Sequence, residues 1–308
     1  MNKQALRADA LLLLTAGIWG FAFVAQRIGM DYLGPFAYNG VRFLLGSVSL
    51  IPLVMFRLKR SNASLDGKTG GKLSVKTFAG SALLAGTCLF IAATLQQIGI
   101  IHTTAGNSGF ITGLYVVLVP LFGIALGKKT GIPTWVGAVF TLTGLFFLSV
   151  AGHIFETGKV AFNRGDLITA VSAIFWAFHV LIIDTLVKRV DPVLLSSGQF
   201  ACCGIFSFAI AFAIETFTLG DFIAGIIPIL YGGLCSVGIA YTLQAVAQKS
   251  APPAHATILL SLEGVFAALG GVLILSEPLG TWTLMGFTLI FCGMLATQWD
   301  VIAGKGKQ

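Results

Sequence analysis

The stretch RADALLLLTAGIWGF at residues 7–21 returns in the second half of the chain as RGDLITAVSAIFWAF at residues 164–178. Arginine, aspartate, tryptophan and phenylalanine recur at the same places, so that Trp19 aligns with Trp176. Because the second copy lies in the middle of the chain, we predict that the first copy is also a structural helix and not a cleaved signal peptide.

A second motif repeats in the same order along the chain. IAATLQ at residues 91–96 returns as IAYTLQ at residues 239–244. The spacing of this pair is shorter, because the first half carries a longer polar loop, RLKRSNASLDGKTGGKLSVK, at residues 57–76. We therefore predict a duplicated chain, with residues 1–152 as the first unit and residues 153–308 as the second.

The composition predicts a membrane protein. Hydrophobic residues make up 56% of the chain and charged residues 10%, and the mean hydropathy is +0.92. Soluble domains carry about 25% charged residues. Apolar runs of about 18 residues or more recur, each long enough to cross a hydrocarbon core about 30 Å thick. We predict an all-α integral membrane protein with ten transmembrane helices. Their predicted bounds are 9–28, 36–56, 75–99, 104–126, 133–152, 165–187, 193–215, 222–247, 253–275 and 281–300.

Five helices per unit is an odd number, so the second unit enters the membrane in the opposite sense to the first. Secondary transporters use such inverted repeats to open a midplane site to either side in turn. Lysine and arginine are concentrated in the N-terminus, alternate loops and the C-terminus, while the other loops hold Arg27, Lys159 and Arg164. The positive-inside rule therefore predicts that both termini are cytoplasmic. The net charge of +7 follows this pattern, and we predict no nucleic-acid partner.

Several stretches together resemble the drug/metabolite transporter superfamily, in its EamA-type branch. They include IWGFAFVAQRIG at residues 18–29, YNGVRFLL at 38–45 and HATILLSLEGVFAALGG at 255–271. The resemblance covers about residues 9–300 and implies a carrier of amino acids, amines, sugars or other small metabolites. Two positions depart from the family pattern: Gly264 stands where proline is frequent, and Lys129 where glutamate is frequent.

Four candidate site residues are predicted at one depth in the membrane. Trp19, Trp176 and Glu263 each lie about ten residues, or about 15 Å of helix, from the start of their segments. Tyr115 is the repeat partner of Glu263 and lies at a similar distance from its own segment's start. We expect these four side chains to line a midplane cavity.

Glu263 is the strongest candidate for a functional group. A charged side chain at the centre of a transmembrane helix costs about 2.5–3.5 kcal/mol, so we expect it to face the interior of the bundle. Two functional roles follow: it anchors a substrate ammonium, or it carries a coupled proton. The alternative is a structural hydrogen bond that fixes its helix to a neighbour.

Four further polar side chains have open roles. His179 lies three residues after Trp176 and is expected on the same helix face, as a partner of the site or as a hydrogen-bonded packing residue. Arg42 either packs and snorkels towards the interface or binds a substrate carboxylate. Gln96 and Gln244 occupy equivalent places in the repeat and are candidates for polar gates.

Two phenylalanines complete the candidate set. Phe23 and Phe178 lie near the two tryptophans in sequence, and aromatic side chains at such positions either pack or line the cavity. The five cysteines show no zinc or disulfide spacing, and we predict neither a metal nor a cofactor.

The predicted substrate class follows from the small number of basic side chains within the predicted transmembrane segments. A phosphorylated substrate needs basic groups to replace the hydration of its phosphate. We therefore predict a secondary carrier, expected by resemblance to be an exporter, for small neutral, zwitterionic or weakly cationic metabolites, with amino acids as the best single class. Alternatives are a proton-coupled multidrug exporter of lipophilic cations and a non-transporting scaffold or receptor. The histidines form no catalytic set, so we predict no enzyme.

The predicted partners are a small-molecule substrate, the lipid bilayer and, as a candidate coupling ion, the proton. The loop charges favour a bacterial inner membrane. Glycines spaced by seven residues in segments 5 and 10 indicate close helix packing, with a dimer seam as an alternative. The sequence leaves open whether the protein is a monomer or a homodimer.

Overall fold

The computed structural model describes residues 3–63, 75–125, 131–151, 154–155, 163–251 and 253–297. Every regular element in these residues is a helix. We number ten helices along the chain: α1 (Lys3–Gly29), α2 (Pro35–Ser49, continued by Ile51–Ala63), α3 (Val75–Ile100), α4 (Ala105–Thr112 and Tyr115–Ala125), α5 (Ile132–Phe146, ending in the π-helical turn Phe147–Ala151), α6 (Arg164–Leu186), α7 (Pro192–Ile214), α8 (Ile226–Leu230, the π-helical stretch Tyr231–Tyr241, and Thr242–Gln248), α9 (Pro253–Leu260 and Glu263–Leu275) and α10 (Thr281–Thr297). A short helix, Leu219–Ala224, precedes α8.

The all-helical membrane fold is confirmed. Among the described residues, eight helices are long and apolar enough to cross a membrane, and α5 and α10 hold the shorter apolar stretches Trp135–Phe146 and Thr281–Ala296. Each observed helix overlaps one predicted segment. Some predicted features lie outside the described residues: the segment ends at residues 126, 152 and 300, the boundary between the two units, and Lys129. The cytoplasmic location of both termini stays a prediction.

Helix starts follow from proline and from short polar side chains. α2 and α7 begin with Pro35 and Pro192, which need no backbone donor in the first turn. The side chain of Asn163 accepts hydrogen bonds from the first backbone N–H groups of α6, and Asp191 does the same for α7. These groups satisfy donors that a helix start leaves unpaired.

Two carboxylates join helix ends at one face of the bundle. Glu215, directly after α7, accepts hydrogen bonds from the N–H groups of Phe36 and Ala37 at the start of α2, at 2.9 and 2.7 Å. Glu277, directly after α9, accepts from Ala105 and Gly106 at the start of α4, at 2.6 and 3.1 Å. In both pairs the end of one helix meets the start of the other, so the helices run antiparallel, as an inverted repeat requires.

The aligned aspartates of the repeat make equivalent contacts. Asp9 in α1 lies 2.7 Å from the Nε2 atom of His255, near the start of α9. Asp166 in α6 accepts a hydrogen bond from the hydroxyl of Thr103, just before α4. Each aspartate therefore ties the first helix of one predicted unit to the fourth helix of the other.

Glycine allows the closest helix crossings. A Cβ atom at Gly20 in α1 would lie 2.2 Å from the Cβ atom of Phe266 in α9. A Cβ atom at Gly144 in α5 would lie 2.7 Å from the backbone nitrogen of Ile290 in α10, and one at Gly293 would lie 2.7 Å from the Gly137 carbonyl oxygen. The seven-spaced glycines thus pack α5 against α10 within one chain.

Candidate functional site

The backbone is irregular in the middle of three helices. α4 is interrupted after Thr112 and resumes at Tyr115, and α9 is interrupted after Leu260 and resumes at Glu263. α8 carries eleven residues of π-helix, Tyr231–Tyr241, in its central part. Discontinuous helices and π-bulges are typical of substrate sites near the midplane of transporters.

A cavity lies between the helices at these irregular points. Its walls come from α1, α2, α3, α4, α6, α8 and α9. Eight of the ten predicted site residues line it: Trp19, Phe23, Arg42, Gln96, Tyr115, Trp176, Gln244 and Glu263.

Glu263 and Tyr115 form the acidic part of the cavity. The hydroxyl of Tyr115 donates a hydrogen bond to Oε1 of Glu263 at 2.9 Å. Both side chains are buried, with 3% of their surface exposed. Each is the first residue after its helix break, so the interruptions of α4 and α9 place the repeat-related pair in direct contact. A carboxylate held in this way can accept a proton or pair with a cationic group of a ligand.

Aromatic rings surround the acid. The ring centroid of Trp19 lies 4.5 Å from that of Tyr241, and Trp176 lies 6.0 Å from Tyr241 on another side. The Nε1–H group of Trp19 donates to the carbonyl oxygen of Ser236 at 3.3 Å, inside the π-helical stretch of α8. The rings provide a rigid apolar wall that suits an aliphatic or aromatic side chain of a ligand.

Arg42 is buried at the cavity wall, with 1% of its surface exposed. Its Nε–H group donates to Oδ1 of Asn39 at 2.9 Å, and its guanidinium lies 5.5 and 4.9 Å from the ring centroids of Tyr38 and Phe43. The side chain is therefore buried within the bundle, which favours packing or ligand binding over snorkelling.

Amide side chains add polar atoms to the wall. Gln96 donates from Nε2 to the hydroxyl of Thr112 at 3.0 Å, which connects α3 with the break in α4. Gln26 also lines the cavity, and its backbone carbonyl oxygen accepts a hydrogen bond from Nε2 of Gln97 at 3.2 Å. Gln96 and Gln244 both reach the cavity, while their role as gates stays a prediction.

The structure does not bring two of the predicted residues into the cavity. Phe178 has 41% of its surface exposed and stacks on Phe122, at a centroid distance of 4.5 Å. His179 is fully buried behind the wall, where its Nε2 lies 2.8 Å from Oε1 of Gln199 and its ring meets Trp176 edge-on. Phe178 lies two positions from Trp176, and residues with this spacing point to different sides of a helix. The packing alternative for both residues therefore matches the geometry.

Sequence analysis missed part of the wall. The additional lining residues are Ala22, Gln26, Thr112, Val180, Ser236, Tyr241 and Leu260. Tyr241 had a detectable indicator, since it replaces the alanine of IAATLQ in the otherwise matching motif IAYTLQ. Gln26 had no comparable indicator, because it adjoins Arg27 near the predicted end of the first segment at residue 28.

Groups of residues that suit a metal are absent from the described part of the chain. The five cysteines, all within it, are unpaired, and Cys88 donates from its thiol to the carbonyl oxygen of Phe175. The cavity chemistry in these residues is thus that of one carboxylate, one guanidinium, amides and aromatic rings.

Comparison with known proteins agrees with this architecture. The EamA-like transporter family matches residues 6–150 and again residues 163–298. The chain is 31% identical over 294 residues to an uncharacterized transporter of Archaeoglobus fulgidus, covering 95% of this chain and 86% of the relative. It is 25% identical to the uncharacterized inner membrane transporter YedA of Escherichia coli K12, covering 91% and 87%. A solved crystal structure with 16% identity has the same fold, with a TM-score of 0.67 over 97% of this chain and 99% of that one.

Proposed function

Since the chain belongs to the EamA-like transporter family, we propose that it is a secondary transporter for small zwitterionic, neutral or weakly cationic metabolites. Amino acids are the best single class, and the transport direction is export. The substrate passes through the cavity between α1, α4, α6, α8 and α9 by alternating access of an inverted repeat. The protein lies in a bacterial inner membrane with both termini in the cytoplasm. It acts as a carrier and not as an enzyme.

The contact between Glu263 and Tyr115 carries this proposal. Burying an acidic side chain where two helices, α4 and α9, are both interrupted lowers the stability of the fold, so a purely structural role does not explain it. Inverted-repeat carriers bind their substrates at such interrupted helices. The aromatic walls accept an apolar side chain, and the acid accepts an ammonium group. A phosphorylated substrate fits poorly, because Arg42 is the one basic side chain among the described residues that line the cavity.

Glu263 also provides a group that can couple transport to protons. If a proton and a substrate ammonium compete for one carboxylate, binding of one releases the other, and the flux of the substrate becomes linked to the proton gradient. The hydroxyl of Tyr115 keeps the carboxylate in place during the exchange. The proton is therefore the coupling ion that this site favours.

The second candidate function is export of lipophilic cations. The rings of Trp19, Trp176 and Tyr241 together with Glu263 form the kind of aromatic and acidic site that attracts such cations. The guanidinium of Arg42 in the same wall opposes this function, because it repels a permanent positive charge.

Uptake of a labelled amino-acid panel into proteoliposomes tests the proposal. Wild type and Glu263→Gln are compared with and without an imposed pH gradient. Saturable, gradient-driven flux in the wild type, reduced in the variant to exchange that ignores the gradient, supports a proton-coupled carrier. Equal, gradient-insensitive flux in both proteins indicates a facilitator in which Glu263 is structural. If no amino acid moves but lipophilic cations do, the second candidate replaces the first, and ligand binding without any flux indicates a receptor.

A further inference from the structure

The guanidinium of Arg42 has an unused hydrogen-bond donor at the cavity wall. Nε donates to Asn39, but Nη2 is buried without a hydrogen-bond partner. A guanidinium carries five N–H donors in a fixed fork and no acceptor, so one neutral amide cannot satisfy it. The fork geometry matches the two oxygens of a carboxylate.

The neighbours of Arg42 stabilise its charge only in part. The rings of Tyr38 and Phe43 interact with the guanidinium through their π-electron faces. These contacts replace only part of the hydration that a buried ion loses. Among the described residues, no carboxylate lies within ion-pair distance of Arg42. The positive charge is therefore available to an anionic group that enters the cavity.

Glu263 provides the opposite charge in the same cavity. Glu263 accepts a hydrogen bond from the hydroxyl of Tyr115 and belongs to α9, whereas Arg42 belongs to α2. The two ionisable groups are not paired with each other, although both line the same cavity. A zwitterionic ligand carries the two charges that complement these groups, a carboxylate for Arg42 and an ammonium for Glu263.

We infer that Arg42 is a specificity-determining residue that binds the carboxylate of a zwitterionic substrate, while the ammonium of the same molecule faces Glu263. This assignment rests on the proposed carrier function and goes beyond it, because it requires both charges of the substrate. A carboxylic acid without an amine meets Glu263 unfavourably, and an amine without a carboxylate meets Arg42 unfavourably. The site therefore binds molecules that carry both an ammonium and a carboxylate more tightly than simple amines or simple carboxylic acids.

Matched ligand triads test the assignment by isothermal titration calorimetry on the purified full chain. One triad is leucine, leucinamide and 4-methylpentanoate, and a second is built in the same way on phenylalanine. The wild type is expected to bind the amino acids about 100-fold or more tightly than the amides or the acids, because a site built for a polar group strongly rejects the analogue that lacks it. Equal affinity for amino acid and amide, or binding of neither triad, overturns the assignment.

Three variants separate recognition from folding. Arg42→Gln is expected to weaken amino-acid binding about tenfold or more and to strengthen binding of the amide, so that the preference reverses. Arg42→Lys keeps the charge but not the fork, and it is expected to restore part of the amino-acid affinity. Arg27→Gln removes an exposed arginine that pairs with Asp31 at the end of α1, and it should leave every affinity unchanged. A parallel loss of both ligands in Arg42→Gln overturns the assignment and makes Arg42 a structural residue.

The carrier function has its own separate test. Saturable flux of any small metabolite in proteoliposomes supports transport even where the triads show no role for Arg42. Conversely, zwitterion-selective binding that depends on Arg42 but is accompanied by no flux supports the recognition site and contradicts the carrier function.

Discussion

Gly271→Ala is expected to detach Glu277 from the start of α4. A Cβ atom at position 271 would lie 2.2 Å from Oε2 and 2.9 Å from the carboxyl carbon of Glu277. The backbone of α9 is fixed there by Ser276, whose left-handed φ of 54° ends the helix and directs the chain to Glu277. The carboxylate must move, and it then loses its hydrogen bonds to Ala105 and Gly106.

The size of the effect follows from the bonds that are lost. A hydrogen bond to a charged group contributes about 1.5–3 kcal/mol, and partial solvent exposure of Glu277 favours the lower value, so two bonds contribute about 3 kcal/mol. Replacing glycine by alanine inside a helix returns about 1 kcal/mol. The net loss in the free energy of unfolding is therefore about 2 kcal/mol, or about 30-fold in the unfolding equilibrium.

Unfolding in mixed detergent micelles measures this loss, and a double-mutant cycle identifies its cause. In a Glu277→Ala background the same glycine substitution has no carboxylate to displace, so it should be neutral or stabilising by up to about 1 kcal/mol. Gly17→Ala in α1 is the matched control, because a Cβ atom there meets nothing within 4 Å. A loss of about 2 kcal/mol in both backgrounds would refute the reasoning.

Further substitutions probe the other parts of the account. Gly34→Ala places a Cβ atom 2.4 Å from the carboxyl carbon of Glu215 and should lower the unfolding free energy by about 1–2 kcal/mol in the same assay; an unchanged value would exclude Glu215 as a helix cap. Tyr115→Phe should lower transport about tenfold, because it removes the hydrogen-bond donor to Glu263. It keeps the ring, so the free energy of unfolding should fall by about 1 kcal/mol or less. Flux equal to that of the wild type would contradict this. Phe178→Leu should leave transport unchanged while Phe23→Leu alters it, since only Phe23 of the two lines the cavity; equal effects in both would count against the cavity as the substrate site.

The number of helices and the pairing of two cavity residues were predictable from sequence. Apolar runs separated by proline, glycine and charge define ten segments, and the repeat offset pairs Tyr115 with Glu263, which the structure shows in contact. These features depend on hydrophobicity and on duplication, which a single sequence records directly.

The details of the wall depended on tertiary packing. The breaks at residues 113–114 and 261–262 contain no proline, and Gly113 alone does not distinguish a break in a chain with 38 glycines. Arg42 points inward because Tyr38 and Phe43 of its own helix enclose the guanidinium, and its depth alone was also compatible with snorkelling. Phe178 packs on Phe122 and does not line the cavity, because it lies two positions from Trp176 and residues with this spacing point to different sides of a helix.

Labelling of a cysteine at position 236 tests alternating access most directly. Ser236→Cys places a thiol of similar size at the cavity wall, in a background where the five native cysteines are replaced. The account predicts that a membrane-impermeant thiol reagent labels this position from either side of the membrane, and that a transported amino acid protects it from both. Labelling from neither side, or labelling that no transported substrate affects, would contradict the claim that this cavity is the substrate pathway.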